Sequence, residues 1–217
     1  MLSFAQISDC HIGKELNNKN LVKVINEINN LKIKTLVISG DLTENGLLSE
    51  YLQLQNILGV LNGVDIFVIA GNHDNNLNLA KVFSQKQMSN FVLENYNIQL
   101  INSKIENEVF GNISPDDINS TLENSILITH HPVINMDSNW DDDLSINNKN
   151  EFLQQISLNK NIKMICFGHC HEAKTFKVGE INIYSCPSSA YQFDDKNGIG
   201  FNVYELGTSI KKTTIWL

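Results

Sequence analysis

The sequence predicts an α/β fold with a mixed sheet system, organised as one domain over residues 1–217. Short apolar runs alternate with stretches of helical periodicity in the first half of the chain, in the order βαβαβα. The second half is richer in strand-like runs, which indicates sheets that are not purely parallel. No low-complexity linker or internal repeat separates the halves, and the length suits one domain with a substantial core.

The predicted strands are short runs rich in β-branched and aromatic residues, most of them bounded by polar or turn-forming residues. They cover residues 3–8, 35–39, 66–70, 125–129, 164–167, 181–185, 201–206 and 213–217. The first five are the important ones, because a polar cluster comes directly after each of them.

The predicted helices lie between these strands. Helical spacing of apolar residues predicts one helix before the second strand and another before the third. A third helix is predicted over residues 79–95, with Phe83 and Phe91 facing inward. Ser114 followed by Pro115 is typical of a helix N-cap, and a further helix is predicted near residues 150–158.

Composition restricts the kinds of partner. The net charge is −8, and all sixteen basic residues are lysines, so no arginine is available for bidentate phosphate recognition. A nucleic-acid polymer is therefore not expected, and a bound anion would need metal cations to hold it. No apolar run approaches the ~20 residues that cross a bilayer, and the start of the chain lacks a basic leader region. We expect no membrane partner and a cytoplasmic location.

The four cysteines are interpreted as packing residues. Cys166 and Cys170 resemble half of a zinc site, but no second pair has suitable spacing. Cys10 and Cys170 each stand between two residues of a stronger motif, where a small side chain fits. A disulfide framework is not expected in a chain of this size and expected location.

The six histidines all lie in short polar clusters that follow predicted strands. A lone histidine is more often structural than a ligand, but six in this pattern favour a shared site. The carboxyl ends of strands in an open α/β sheet form the edge where ligands bind. The clusters are Asp9-Cys10-His11, Gly40-Asp41, Gly71-Asn72-His73-Asp74, Thr129-His130-His131-Pro132 and Gly168-His169-Cys170-His171.

The donor types in these clusters indicate metal ions. Imidazole, carboxylate and amide donors, with no thiolate required, suit manganese, iron or zinc. The donors are too many for one tetrahedral ion, and two ions about 3.5–4 Å apart, bridged by one carboxylate, would accommodate them. Two divalent cations would also replace the missing arginines in neutralising a phosphate.

The order of the five clusters resembles the calcineurin-like metallophosphoesterase superfamily. The resemblance implies a four-layer α/β/β/α sandwich of two mixed sheets. A narrower resemblance is to the bacterial class III cyclic-nucleotide phosphodiesterases, and it extends over nearly the whole chain. It rests on residues 41–46, on Glu50-Tyr51, on the segment around Trp140-Asp141 and on the tail 186–193.

The resemblance implies two divalent metal ions, with iron or manganese favoured over zinc. One ion would be held by Asp9, His11, Asp41 and His171, and the other by Asp41, Asn72, His130 and His169. His130 is chosen over His131 because the family ligand stands two places before the proline. His73 would stand against the substrate phosphate as a general acid, with Asp74 orienting it, and neither would be a ligand.

The function implied is hydrolysis of 3′,5′-cyclic AMP to the 5′-monophosphate, with other cyclic nucleotides as further candidate substrates. One alternative is a metallophosphoesterase that acts on another small phosphodiester or phosphomonoester. A second is a catalytically silent binding scaffold of the same fold. The expected partner is a small cyclic nucleotide or another small phosphoester, and the oligomeric state, including a homodimer, stays open.

Overall fold

The computed structural model describes residues 2–136, 144–193 and 198–217. The segment around Trp140-Asp141, which contributed to the family resemblance, lies outside the described residues. Across these three ranges, no helix has both the length and the apolar character that a bilayer crossing requires.

The described chain contains eleven strands and four α-helices. The strands are β1 (Leu2–Ile7), β2 (Thr35–Ser39), β3 (Asp65–Ile69), β4 (Asn90–Leu93), β5 (Tyr96–Leu100), β6 (Ser125–Ile128), β7 (Ile162–Phe167), β8 (Thr175–Val178), β9 (Ile181–Ser185), β10 (Gly200–Leu206) and β11 (Ile210–Trp216). The helices are α1 (Glu15–Asn30), α2 (Leu48–Leu58), α3 (Asn76–Phe83) and α4 (Lys149–Leu158).

Both sheets are mixed. The first has the order β11-β10-β1-β2-β3, in which β1, β2 and β3 are parallel and β10 and β11 are antiparallel additions. The second has the order β4-β5-β6-β7-β9-β8. Its four inner strands are parallel, and an antiparallel strand closes each edge.

The two sheets pack face to face, with a helix layer on each outer face. Alternate residues of a strand point to opposite faces, so Phe4 of β1 contacts the second sheet while Ala5 contacts the helices. Ile126 of β6 likewise faces the first sheet, and Leu127 packs in the cluster of α4. The prediction of a four-layer α/β/β/α sandwich of two mixed sheets is confirmed.

The predicted third helix, over residues 79–95, is wrong beyond Phe83. Helix α3 ends at Phe83, and a 3-10 turn over Ser84–Lys86 leads into the hairpin of β4 and β5. The two-residue turn of this hairpin contains Glu94 in a left-handed conformation, with φ of 56°. Phe91 packs inward from a strand, because its ring stacks on Phe67 with centroids 3.8 Å apart.

Two other elements also differ from the prediction. Ser114 does cap a helical segment, but that segment is a single 3-10 turn over Pro115–Asp117. Strand β8 was not predicted, because its half-buried edge position gives it a mixed polar and apolar composition. The remaining predicted strands and the helix near residues 150–158 are confirmed to within a few residues.

Candidate metal centre

Five loops bring the predicted clusters to one place. Three loops follow the parallel strands β1, β2 and β3 of the first sheet, and two follow β6 and β7 of the second. The sequence predicted that these clusters meet at one edge of a sheet. The structure instead joins the carboxyl ends of two facing sheets, and backbone hydrogen bonds connect the loops, for example from the Asp9 amide to the Gly40 carbonyl at 3.1 Å.

Most of the candidate ligands have a backbone conformation that is costly for residues with a side chain. Left-handed φ angles occur at Asp9 (53°), His11 (43°), Asp41 (49°), His169 (67°) and His171 (58°). Each such residue costs on the order of 1–3 kcal/mol, which the surrounding structure must offset. The concentration of this strain in one cluster is typical of a functional site.

Two glycines leave space for these side chains. Gly40 has φ of 98°, and a Cβ atom there would overlap the His130 ring. A Cβ atom on Gly71 would overlap the carboxylate of Asp41. Any larger residue at either position would therefore push a candidate ligand out of place.

One group of donors contains Asp9, His11 and His171. The Nε2 atoms of His11 and His171 lie 3.2 Å apart, and His171 Nε2 lies 3.5 Å from Asp9 Oδ1. His171 Nδ1 lies 2.9 Å from the carbonyl oxygen of Tyr191. Since a carbonyl oxygen can only accept, Nδ1 carries the hydrogen and Nε2 is left with a lone pair that faces the cluster.

A second group contains Asn72, His130 and His169. His130 Nε2 lies 3.1 Å from Asn72 Oδ1 and 3.3 Å from His169 Nδ1. His130 Nδ1 lies 2.9 Å from the Ser39 carbonyl oxygen, which again turns Nε2 toward the cluster. His169 is tied to the first group, because its backbone amide donates to Asp9 Oδ2 at 2.9 Å.

Asp41 stands between the two groups. Its Oδ2 atom lies 3.8 Å from His11 Nε2, and its Oδ1 atom lies 3.4 Å from His130 Nε2. The backbone amide of His73 donates to Oδ1 at 2.9 Å and fixes the carboxylate in this orientation. The seven residues predicted as ligands are thus together, with one carboxylate facing both groups.

The charges of this cluster are buried and incompletely balanced. Burial opposes ionisation of Asp9 and Asp41, but contact with His171 and His130 respectively holds the pKa of each carboxyl well below its usual range. Burial lowers the pKa of His130, but the Asp41 carboxylate outweighs it and raises that pKa to about 9. Burial, together with the charge of His130, lowers the pKa of His169 to about 4. The protonated imidazole of His130 therefore balances part of the negative charge of two buried carboxylates.

Unsatisfied atoms in the cluster indicate the missing component. Asp9 Oδ1 and His169 Nε2 are buried and have no hydrogen-bond partner. Leaving buried polar atoms unpaired costs about 1–3 kcal/mol each, and more for charged groups. A divalent cation would bind the lone pairs of these two atoms. It would also supply the positive charge now provided by the proton on His130.

His131 lies beside the cluster. Its Nδ1 atom is 2.8 Å from Ser103 Oγ, and its ring centroid is 5.0 Å from that of His169. Burial lowers the pKa of His131 well below its usual value. His131 Nε2 is buried without a hydrogen-bond partner, whereas His130 Nε2 faces Asn72 and Asp41.

Asp74 has a different role from the one expected. Its carboxylate accepts hydrogen bonds from the backbone amides of Leu42, Thr43 and Gly71, from Thr43 Oγ1, and from the Tyr51 hydroxyl at 2.9 Å. Burial, together with the charge of Asp41, raises the pKa of Asp74 to about 6. Asp74 therefore fastens the loops after β2 and β3 to α2, and we correct the expectation that it orients His73.

The backbone carbonyl of Glu44, rather than Asp74, orients the His73 ring, and this contact was not predicted from the sequence. The carbonyl oxygen lies 2.9 Å from His73 Nδ1, and the Oε2 atom of Glu44 lies 3.1 Å from His11 Nδ1. The Oε2 contact is close but lacks hydrogen-bond alignment, so it acts through charge. Burial opposes ionisation of Glu44, but the Lys14 ammonium group outweighs it and lowers the pKa of this carboxyl.

Glu44 reaches the cluster through a backbone pairing rather than through a sequence motif. An isolated bridge joins Ile12 to Thr43, and the Glu44 amide donates to the Ile12 carbonyl at 2.9 Å. This pairing brings the loop after β2 across the loop after β1. Nothing in the order of the residues predicts such a contact.

Lys104 is a second missed contact. Its side chain is only 3% exposed, and its Nζ atom lies 3.4 Å from the backbone carbonyl of Asn72. Glu106 Oε2 lies 3.4 Å from the same Nζ atom. Lys104 thus holds the backbone of a candidate ligand, and it was one of sixteen lysines with no distinguishing motif.

A cavity of about 310 Å³ opens onto the cluster. Its polar part is formed by candidate ligands and by His73, whose side chain is exposed. Its apolar part is formed by Val109, Leu144, Tyr191 and Phe193. The volume is within the usual range for a small-molecule site.

Comparison with known proteins identifies the family. A family model described as calcineurin-like phosphoesterase matches residues 2–173. The chain belongs to this family. Similar relatives of this phosphoesterase include a protein from Ruthia magnifica subsp. Calyptogena magnifica named as a probable cyclic nucleotide phosphodiesterase. The two are 38% identical over 94% of this chain and 93% of the relative.

Two further comparisons agree with this assignment. A 3′,5′-cyclic-nucleotide phosphodiesterase from Nostoc sp. is 27% identical over 90% of the phosphoesterase and 81% of the relative. The crystal structure of a dimetal phosphatase from Danio rerio superposes with a TM-score of 0.76 and covers 99% of this chain and 98% of that one. Their sequences are only 11% identical, so this likeness concerns the fold alone.

The phosphoesterase fold implies divalent metal ions, and the cluster fits them. Three of the closely spaced groups of possible ligand atoms are fully buried: Asp9 with His11 and His171, Asp9 with Asp41 and His130, and His130 with His131 and His169. Imidazole and carboxylate donors that lack other partners are the ligands that such ions require.

The contact between Glu44 and His11 generates a prediction. Replacing Glu44 with Gln removes the charge beside His11 Nδ1, so Mn²⁺ affinity should fall by about 10–100-fold, as for other residues that support metal ligands. Titration calorimetry of the metal-free protein measures this. Glu151→Gln is the matched control, because that side chain is exposed on α4. Unchanged affinity in Glu44→Gln would show that the contact has no role in metal binding.

Proposed function

We propose that this phosphoesterase hydrolyses 3′,5′-cyclic AMP, and other cyclic nucleotides, to the 5′-monophosphate. The observation that carries the proposal is the intact cluster beneath a cavity of nucleotide-binding size, in a chain similar over 94% of its length to a probable cyclic nucleotide phosphodiesterase. The complete donor set, with His73 at the cavity, favours catalysis over a silent scaffold.

We also propose that the site is dinuclear, with Asp41 as the bridge. Asp9, His11 and His171 would hold one ion, and Asn72, His130 and His169 the other. Support comes from the two oxygens of Asp41, which face His11 and His130 respectively. The mixture of imidazole, carboxylate and amide donors suits iron, manganese or zinc, and we favour iron or manganese.

The bridging role of Asp41 generates a prediction. Asp41→Asn keeps the shape of the side chain but removes the charge that two cations would share, so about one ion per chain should remain instead of two. Metal analysis after dialysis against Mn²⁺ measures the ratio. Asp65→Asn is the matched control, because Asp65 is exposed at the opposite end of β3. Two ions retained by Asp41→Asn would contradict the bridge.

The ions would polarise the phosphoryl oxygens and make a water nucleophilic near neutral pH. The protein itself positions the other participants. Asp74 fixes the loops, the two glycines leave space for the ligand side chains, and the Glu44 carbonyl fixes the orientation of His73. Because the Glu44 carbonyl can only accept a hydrogen bond, His73 Nδ1 carries one hydrogen and Nε2 is the atom that can deliver a proton.

We assign that proton to the leaving 3′-oxygen of the ribose. Hydrolysis adds one water across the bond between phosphorus and the 3′-oxygen, so the departing alkoxide requires a proton. A positioned imidazole supplies one without waiting for solvent. His73 is exposed at the cavity and is close to the cluster, with its ring centroid 4.8 Å from that of His11.

The general-acid role generates a prediction with an internal control. His73→Ala should lower turnover of cyclic AMP by about 10²–10⁴-fold while leaving the metal content unchanged. Hydrolysis of bis(p-nitrophenyl) phosphate should fall far less, because p-nitrophenolate leaves without protonation. Steady-state kinetics on both substrates measures the difference. An equal loss on both, or loss of the metal, would contradict the assignment.

A substrate panel tests the proposed function itself. The Mn²⁺-loaded protein should turn over cyclic AMP and cyclic GMP well above 5′-AMP, with the Asp41→Asn variant as the background. Chromatographic detection of the 5′-monophosphate identifies the bond that is cut. Turnover of bis(p-nitrophenyl) phosphate alone would overturn the cyclic-nucleotide assignment, and turnover of 5′-AMP alone would indicate a phosphomonoesterase.

A further inference from the structure

The cavity over the metal cluster has two chemically distinct parts. Its floor consists of ionisable and amide side chains, and its outer wall consists of apolar and aromatic ones. The wall is formed by Val109, Leu144, Tyr191 and Phe193, which we call the apolar shelf. A phosphate requires only the floor, so the shelf indicates that the ligand has an apolar or aromatic portion as well.

Exposure argues against a purely structural role for the shelf. Phe193 is 52% exposed and Val109 is 54% exposed, so neither is a core residue. Single exposed apolar residues are common on protein surfaces. Here two of them come from distant parts of the chain and meet at the mouth of a cavity with a charged floor, which is the arrangement of a small-molecule site.

The aromatic residues of the shelf are anchored to the cluster. The ring of Phe193 stacks on the ring of His171, with centroids 4.3 Å apart and an interplanar angle of 13°. Tyr191 packs on His171 edge to face at 4.6 Å, and its backbone carbonyl lies 2.9 Å from His171 Nδ1. The shelf is therefore held at a fixed position beside a candidate metal ligand.

We propose that the apolar shelf binds the base of a nucleotide by stacking, while the phosphate occupies the floor. This inference rests on the proposed function and names the part of the site that recognises the substrate. Among the described residues of the shelf, only Tyr191 carries a side-chain hydrogen-bonding group. Stacking on an aromatic ring tolerates any base, since every base has a π-face.

Because the apolar shelf has few hydrogen-bonding groups, we expect the site to discriminate weakly between bases. A wall without paired donors and acceptors cannot reject a base on the pattern of its edge. The Michaelis constants for cyclic AMP and cyclic GMP should therefore agree within about tenfold. Selectivity would instead separate nucleotides from sugar phosphates that lack a base.

The test compares two ligands that share the ribose and the 5′-phosphate and differ at C1′, where one carries a base and the other a hydroxyl. Titration calorimetry of the Mn²⁺-loaded full chain should show that 5′-AMP binds more tightly than ribose 5-phosphate. Phe193→Ala should weaken 5′-AMP about 5–150-fold, which corresponds to the 1–3 kcal/mol typical of one stacked base. Its effect on ribose 5-phosphate should be under about twofold, and Phe193→Trp should restore the affinity for 5′-AMP.

Two further variants keep the experiment decisive. Val109→Ala removes shelf surface without touching His171, so a smaller loss for 5′-AMP alone is expected even if Phe193→Ala disturbs the metal. Leu158→Ala, on a side chain 80% exposed at the end of α4, should change neither affinity. Equal affinities of the parent protein for the two ligands, or equal losses for both ligands in both shelf variants, would overturn the proposal.

The outcomes separate this inference from the proposed function. If the protein fails to hydrolyse cyclic nucleotides, the proposed function fails, and the difference between 5′-AMP and ribose 5-phosphate still tests the shelf. If cyclic nucleotides are hydrolysed but Phe193→Ala and Val109→Ala leave that difference intact, the shelf is wrong and the function stands.

Discussion

The buried negative charge of Asp9 and Asp41 is the constraint on which the rest of the site depends. Both carboxylates are almost fully excluded from solvent, where an ionised group is costly unless it is paired. The imidazoles around them supply lone pairs, and the proton held by His130 balances part of the negative charge. The fold therefore contains a region that is electrostatically incomplete, and a bound cation completes it.

Holding such a cluster together requires a rigid frame. Five candidate ligands have left-handed backbone conformations, and the loops that carry them would relax if they were not fixed. Asp74 fixes two of these loops by accepting hydrogen bonds from their amides, and Tyr51 connects the same carboxylate to helix α2. The two packed sheets behind the loops contribute the stability that offsets this strain.

The sequence predicted the layers and the ligand clusters because both depend on local patterns. Apolar runs identify buried strands. A histidine directly after such a run lies at the end of a strand, whichever sheet that strand belongs to. The donor groups around Asp41 could thus be anticipated from residues that are 160 positions apart, such as Asp9 and His169. Strand β4 could not, because its half-buried residues continue the helical pattern of α3 closely enough to extend it.

The contacts of Glu44 and Asp74 were beyond prediction for a different reason. The neighbour of His73 in the sequence is Asp74, but the backbone turn at that position directs the carboxylate toward Gly71 and Leu42. Glu44, twenty-nine positions from His73, supplies the contact instead. Such partners are decided by how two loops cross, which depends on the placement of both sheets at once.

The proposed apolar shelf draws its residues from two parts of the chain. The candidate ligands lie between Asp9 and His171, inside the segment 2–173 that matches the phosphoesterase family. Tyr191 and Phe193 lie beyond that segment, in the stretch that leads back to the first sheet. Val109 and Leu144 lie inside the family segment, so the proposed shelf combines side chains from that segment with side chains from outside it. Substitution at Tyr191 or Phe193 would change the wall of the cavity without replacing any candidate ligand.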